Sequence, residues 1–338
     1  MNSNADKVII IAEAGVNHNA SMEMARQMVV EARKAGADYV KFQTAVPELV
    51  ISTIAPKAEY QKETTGEGQT QLDMCRAIHL PLSAYAELAD LCHKEGIGFM
   101  STPFDLVSVD TLAPLGMDYW KIPSGEITNL PYLRKIASKG GRVILSTGMS
   151  TLDEVENAVA VLEKGGIPRC DIALLHCTTQ YPTPMEAVNL RAMDALRTLG
   201  CGAVGYSDHT VGIEVPVAAV AMGAKIIEKH FTLDKNLPGP DHRASLDPAE
   251  LAAMVSAVRN IELATGDGGK YVTEAEAPNI EVARKSIVAA RDIRKGEVLT
   301  EENITVKRPG NGISPMLWDA VIGTCAVEDF PYDSLIKI

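Results

Sequence analysis

The chain has no CxxC pair, no apolar run long enough to span a bilayer, no glycine-rich nucleotide loop and no excess of basic residues. Each lack removes a class of protein. The six cysteines, at positions 75, 92, 170, 177, 201 and 325, are scattered, which argues against a disulfide framework and a zinc knuckle. They read instead as small buried hydrophobes. The first apolar segment, VIIIAEAG, is far too short for a membrane span. MNSNADK carries no basic stretch followed by an apolar one, so no secretory signal is expected and the expected location is the cytoplasm. A net charge of −12 argues against bulk affinity for nucleic acid. It does not exclude an anionic small molecule, which feels nearby lysines more than the total charge. Neither GxGxxG nor GxxxxGK[ST] occurs, which speaks against dinucleotide and P-loop sites. GYSDH is not GxSxG, so no nucleophile elbow is present. Cys177 adjoins His176, but neighbours on a strand point to opposite faces, which argues against thiol catalysis.

What the chain does have is alternation. Short apolar segments near 8–14, 37–43, 97–101, 118–122, 142–146, 171–177, 202–206 and 224–229 are separated by helix-length segments. TLDEVENAVAVLEKGG and DPAELAAMVSAVRNIELATG are the clearest amphipathic helices. Near-continuous apolar strands alternating with helices predict a parallel sheet covered by helices. Eight such units predict an α/β (β/α)8 TIM barrel, with an open doubly wound sheet as the competing solution. The long polar stretch after the second strand, through GEGQTQ, reads as an excursion over the surface. The expected boundaries are a barrel over 1–268, a linker over 269–282 and a small β-rich domain over 283–338. That last piece is too small for a large core of its own and is expected to pack against its own barrel or a neighbouring subunit.

In a barrel, chemistry sits where strands end and the following loops begin. Polar residues cluster at each such point. They include Glu13, Lys41 and Gln43, Ser101 and Thr102, Lys121 and Ser124, Ser146, Thr179 and Tyr181, Ser207 and His209, and Glu228 and His230. Single hydroxyls at strand ends are commonly caps or turn residues. Lysines inside apolar runs are less easily dismissed. Lys41 in DYVKFQT and Lys121 in DYWKIPS converge on one barrel mouth and predict an anion site. Ser124, Ser146, Thr179 and Ser207 could surround phosphate or carboxylate oxygens. With no nucleotide loop, a small phosphorylated acid suits better than ATP. His209 and His230 sit at the ends of neighbouring strands seven and eight, so their rings can meet. Spacing alone leaves open whether they ligate a metal or merely hydrogen-bond at the base of loops.

The ordered set IIAEAGVNHN, KFQT, STPFD, KIPSGE, ILSTGM, LLHCTTQYPTP, GYSDHT, IEKHFTLDK, PGPDH and KRPGNGI resembles the sialic acid synthases, from Ile10 to the C-terminus. The resemblance implies a barrel followed by an antifreeze-like (SAF) domain, in a domain-swapped homodimer. It implies condensation of phosphoenolpyruvate with an N-acetylated mannose-type sugar, with no nucleic-acid or membrane partner. His209 and His230 match ligands of an essential divalent ion, Mn2+ or Mg2+. Lys41, Lys121, Ser124, Ser146 and Ser207 match the phosphoenolpyruvate site, and Thr179 stands where the best-known form has asparagine. Glu13, Gln43, Tyr181 and Asp241 match the sugar site, and Arg308 matches an arginine reaching the N-acetyl group from the partner subunit. Glu13 and Glu228 are the expected proton-transfer or water-orienting groups. The stretch APKAEYQ resembles that of capsule-type enzymes, so N-acetylmannosamine is the expected sugar and N-acetylneuraminate the product. The alternatives are a legionaminic acid synthase using 2,4-diacetamido-2,4,6-trideoxymannose, a metal-independent Schiff-base aldolase acting through Lys121, or a non-catalytic sugar-binding protein.

Overall fold

The computed structural model describes residues 7–66 and 68–338. Eight strands run in parallel: β1 (Ile9–Gly15), β2 (Tyr39–Thr44), β3 (Gly98–Pro103), β4 (Tyr119–Ile122), β5 (Arg142–Ser146), β6 (Ile172–His176), β7 (Ala203–Asp208) and β8 (Ile226–His230). They are ordered β3-β2-β1-β8-β7-β6-β5-β4. β3 also lies against β4, which closes the circle into a (β/α)8 barrel.

The two-residue period of a strand sorts the side chains. Ile11, Met100, Ile144, Leu175 and Ile226 form an apolar layer inside the barrel. Ile10, Ala12, Val40 and Phe42, one residue out of phase, pack outward with Ala25, Met28 and Val29 of the helix Met22–Ala35. Two residues beyond the inner layer, the same phase delivers Glu13, Thr102, Ser146 and Glu228 to the C-terminal mouth. Lys41, Lys121 and Ser207 share that inward phase on their own strands. Both faces of the strands are therefore apolar along most of their length, and the inward face turns polar only at the end.

Sequence signals set the helix limits. Ser21 accepts from the Met24 N–H at the start of Met22–Ala35, and Gly36 ends it at φ 86°. Thr151 with Glu154, and Asp247 with Glu250, form capping boxes for Leu152–Lys164 and Pro248–Thr265. No helix among the described residues is long and apolar enough to cross a membrane.

The chain divides into two compact units, Met1–Gly266 and Asp267–Ile338. The second unit pairs β9 (Ser286–Ala289) with β10 (Ile304–Lys307) in antiparallel fashion, around a small core that includes Ile287, Ile304, Val321 and Phe330. The segment 269–282, expected to be a linker, falls in this unit and carries most of the helix Ala277–Ala283, where Pro278 sits in the first turn. The expected surface excursion after β2, through GEGQTQ, is mostly exposed or half-buried among the described residues, and it carries local structure. It folds into short helices, including Glu59–Thr65 and Gln71–Ile78, and the second of these buries Leu72 and Met74. Its polar composition conceals apolar residues on one helical face.

Candidate active site

At the barrel mouth four charged side chains form one buried cluster. Lys41 Nζ lies 3.0 Å from Glu13 Oε2 and 3.3 Å from Glu228 Oε2. Lys121 Nζ lies 3.4 Å from Glu228 Oε1. Strand pairing accounts for the proximity, since Glu13 is in register with both Lys41 and His230, and Ser207 with Glu228. Hydroxyls and an amide complete the cluster. Lys41 donates to Thr102 Oγ1 at 3.1 Å, and Lys121 to Ser146 Oγ at 2.8 Å. Ser207 Oγ donates to Glu228 Oε1 at 3.0 Å, and Gln43 Nε2 to Glu13 Oε1 at 3.0 Å. Buried charges survive only when paired in this way. Oε2 of Glu13 and Oε2 of Glu228 both have the Lys41 ammonium as their partner and take no further hydrogen bond.

The two carboxylates differ in environment. Burial pushes the Glu13 carboxyl above its ordinary range, and Lys41 only partly offsets this. Burial acts on Glu228 too, but Lys121 and Lys41 together outweigh it and hold that carboxyl below its ordinary range. Burial lowers the Lys121 ammonium, against the pull of Glu228. It would lower Lys41 as well, but Glu13 and Glu228 outweigh it. Burial thus makes Glu13 the readier of the two carboxyls to take a proton, and Glu228 is the fixed negative charge.

Two local backbone features shape the mouth. β1 is irregular between Glu13 and Gly15, and Gly15 takes φ +53°, where an added Cβ would sit 3.2 Å from Glu13 Oε1. A bulge of this kind re-aims a side chain at a site. At Gly148 an added Cβ would come within 2.6 Å of Thr179 Cγ2, so only glycine lets its N–H reach Ser124 Oγ at 2.9 Å.

His209 and His230 do meet. Their ring centroids are 5.5 Å apart, and Tyr181 packs on both, at 4.0 Å and 5.7 Å. His209 Nδ1 lies 2.6 Å from the Thr178 carbonyl, which makes it the N–H donor and leaves Nε2 with a free lone pair. His230 Nδ1 is buried without a partner. Burial holds both rings below the usual imidazole range, His209 at about 4, so both are neutral at pH 7. Neutral imidazoles, one fixed by a carbonyl and one with an orphaned nitrogen, fit a borderline divalent ion. No group of three or more His, Cys, Asp or Glu among the described residues is placed to hold a metal. Any further ligands would come from substrate or water.

All the sequence-predicted site residues except Asp241 and Arg308 line this one cavity. Asp241 lines an adjoining lobe, which shares Gln43, Phe104, Tyr181 and His230 with the charged cavity. Its carboxyl is raised to about 7 by burial and by the charge of Glu13. Arg308 belongs to the second unit, where it is exposed and its Nε donates to the Ala283 carbonyl at 3.1 Å. Sequence reasoning missed the apolar wall of the lobe, which includes Met74 and Ile78, and the stacking of Tyr60 on Tyr181 at 5.1 Å. It also missed a fully buried ion pair behind the site. Asp208, next to His209 in sequence, pairs with Lys229, which also donates to the Thr210 carbonyl. The available signal was strand phase: Asp208 and Lys229 are in register and face outward, opposite to Ser207 and Glu228.

Fold and site together define a barrel protein with a charge-compensated pocket of two lysines and two carboxylates beside a pair of neutral histidines. The chain belongs to the NeuB family, which it matches over residues 28–270, and residues 284–338 match the SAF domain. It is 52% identical to the N,N'-diacetyllegionaminic acid synthase of Campylobacter jejuni, over 98% of this chain and 99% of that one. It is 45% identical to the enzyme of the same name from Legionella pneumophila, over 93% and 89%. Among solved structures it resembles the N-acetylneuraminic acid (sialic acid) synthetase of Leptospira borgpetersenii, with a TM-score of 0.71 and 33% identity over 83% of this chain and 95% of that one.

Proposed function

We propose that the chain condenses phosphoenolpyruvate with open-chain 2,4-diacetamido-2,4,6-trideoxymannose and water to give N,N'-diacetyllegionaminic acid and phosphate. The observation that carries the reaction is the buried Glu13–Lys41–Glu228–Lys121 cluster, ringed by hydroxyls and facing a histidine pair. The choice of sugar departs from the N-acetylmannosamine expected from sequence. It is supported by the 52% and 45% identity to enzymes named for the diacetamido product, against 33% to one named for N-acetylneuraminic acid.

Lys41 and Lys121 hold the anionic enol and offset its charge with donors already oriented. C3 of phosphoenolpyruvate forms a bond to the aldehyde carbon of the sugar, and the aldehyde oxygen takes a proton. Glu13 is the group for that transfer, since burial makes its carboxyl the readier of the two to hold a proton. The positive charge that develops at C2 faces the fixed negative charge of Glu228. Water adds at C2 and gives one proton back to Glu13, and the C–O bond to phosphate breaks as the C2 hydroxyl becomes the ketone, its proton leaving with phosphate. No side chain becomes covalently attached. His209 and His230 would hold Mn2+ or Mg2+, which when bound polarises the aldehyde oxygen and orients the sugar.

Phosphoenolpyruvate labelled with oxygen-18 at the bridging enol oxygen tests the chemistry. The label is expected in released phosphate, with activity abolished by EDTA and no borohydride trapping at Lys121. Label retained in the sugar product, or a trapped Lys121 adduct, contradicts the reading.

The same proposal includes a second copy of the chain, with Arg308 of the partner subunit completing the sugar site. It is supported by the SAF match and the exposed guanidinium of Arg308. Mixing a Lys121→Ala chain with an Arg308→Ala chain is expected to recover activity that neither shows alone. No recovery contradicts sharing between subunits.

A further inference from the structure

The lobe beside the charged cavity has two unlike sides. Val50, Ile51, Met74, Ile78 and Phe104 supply apolar surface, whereas Tyr60 and Asp241 supply polar groups on one side and Gln71, Cys75 and His79 flank the Met74–Ile78 face. Met74 and Ile78 are four residues apart on the helix Gln71–Ile78 and so share one face. The nearby Gln61 offers the wall little polarity, because its Oε1 accepts from its own helix cap at Ala58 N, 3.0 Å away, and its Nε2 points to Tyr60 Oη at 3.4 Å. The His79 Nδ1 beside this face is taken by the Cys75 carbonyl at 2.8 Å, so a hydroxyl set against the side chains of Met74 and Ile78 would lose water without gaining a partner from them, while a methyl group would lose nothing.

Position along the sugar follows from the shared residues. The lobe meets the charged cavity at Gln43, Tyr181 and His230. The reacting aldehyde, C1, must lie in the charged cavity, beside the enol that attacks it. The far end of the carbon chain, C5 and C6, then extends into the lobe.

We infer that Met74 and Ile78 are specificity-determining residues that read C6 of the sugar, accepting a 6-deoxy methyl and disfavouring a 6-hydroxymethyl. This rests on the proposed function for the identity of the reaction, and it goes further by assigning the discrimination to a wall of the lobe. A methyl in an apolar pocket is worth about 10–200-fold in kcat/KM.

The test compares two sugars that differ only at C6, the 2,4-diacetamido-2,4,6-trideoxymannose and its 6-hydroxy analogue, in the full-length enzyme with saturating phosphoenolpyruvate. The parent is expected to prefer the 6-deoxy sugar by a factor in that range. Met74→Gln, which nearly conserves volume, and Ile78→Ser are each expected to cut that preference at least tenfold, whereas Met74→Leu keeps it. A parent preference near one, or variants that depress both sugars equally, overturns the inference. If the parent proves to act on N-acetylmannosamine instead, the proposed sugar falls, and the wall is judged separately with 6-deoxy-N-acetylmannosamine. Preference for that analogue, lost in Met74→Gln, upholds the wall, and its absence overturns it.

Discussion

The two lobes of the mouth are built differently. The charged cavity is made from strand ends: its lysines and carboxylates lie on the adjacent strands β2, β1 and β8 and on β4 elsewhere in the barrel, and each charge is paired. The adjoining lobe takes its apolar wall mostly from the short helices and turns between β2 and β3, and Asp241 from the segment after β8. Strand ends hold atoms to a fixed register, which suits charge stabilisation that must not reorganise during reaction. Loops can change residue by residue without disturbing the barrel, which suits choosing among sugars that differ by one substituent.

If that division holds, damage to the strand framework costs most. Lys229→Met leaves Asp208 buried and unpaired behind β7 and β8. It is expected to destabilise the fold by about 3–5 kcal/mol, and the double change with Asp208→Leu is expected to regain most of that. Denaturant unfolding followed by circular dichroism measures both. Equal loss in the single and double variants would show that the pair does not staple the strands. Within the cavity, Lys121→Ala leaves Glu228 with only Lys41 as a cationic partner. It is expected to lower kcat/KM for phosphoenolpyruvate by about 10²–10³-fold, read from phosphate release. A loss under about threefold would remove Lys121 from the anion site.

Asp241 in the lobe gives a smaller, pH-dependent effect. Its carboxyl keeps a proton to about 7 when folded, against about 4 when unfolded. Between those values the folded state binds more protons, so stability falls as pH rises through the window, and the loss is complete above the folded value. Asp241→Asn escapes this loss. The variant is expected to gain on the order of 1–3 kcal/mol over the parent between pH 5 and pH 8.5, read from melts at both. A difference independent of pH would contradict the burial of that carboxyl.

The same contrast explains what the sequence made legible. Lys41 and Lys121 stood out because charged residues interrupt apolar strands, and a period of two fixes which way they face. The barrel followed from eight repeats of one pattern. The lobe did not follow, because whether Met74 and Ile78 face the mouth or solvent depends on how a short helix docks. Helix phase gives a face and not its destination. Lys229 was readable in principle by phase, yet its partner Asp208 stood next to His209 and invited a different role. Arg308 carries no local signal at all. It is an exposed arginine in a small β-rich unit, and only resemblance singles it out.

The central claim is that a strand-built anion pocket performs the condensation while a loop-built apolar lobe selects a 6-deoxy diacetamido sugar. It is tested most directly by kcat/KM for 2,4-diacetamido-2,4,6-trideoxymannose and for N-acetylmannosamine, each with phosphoenolpyruvate and Mn2+, followed by phosphate release. The account predicts a preference for the diacetamido sugar of about a hundredfold or more. Equal efficiency, or a preference for N-acetylmannosamine, would contradict it.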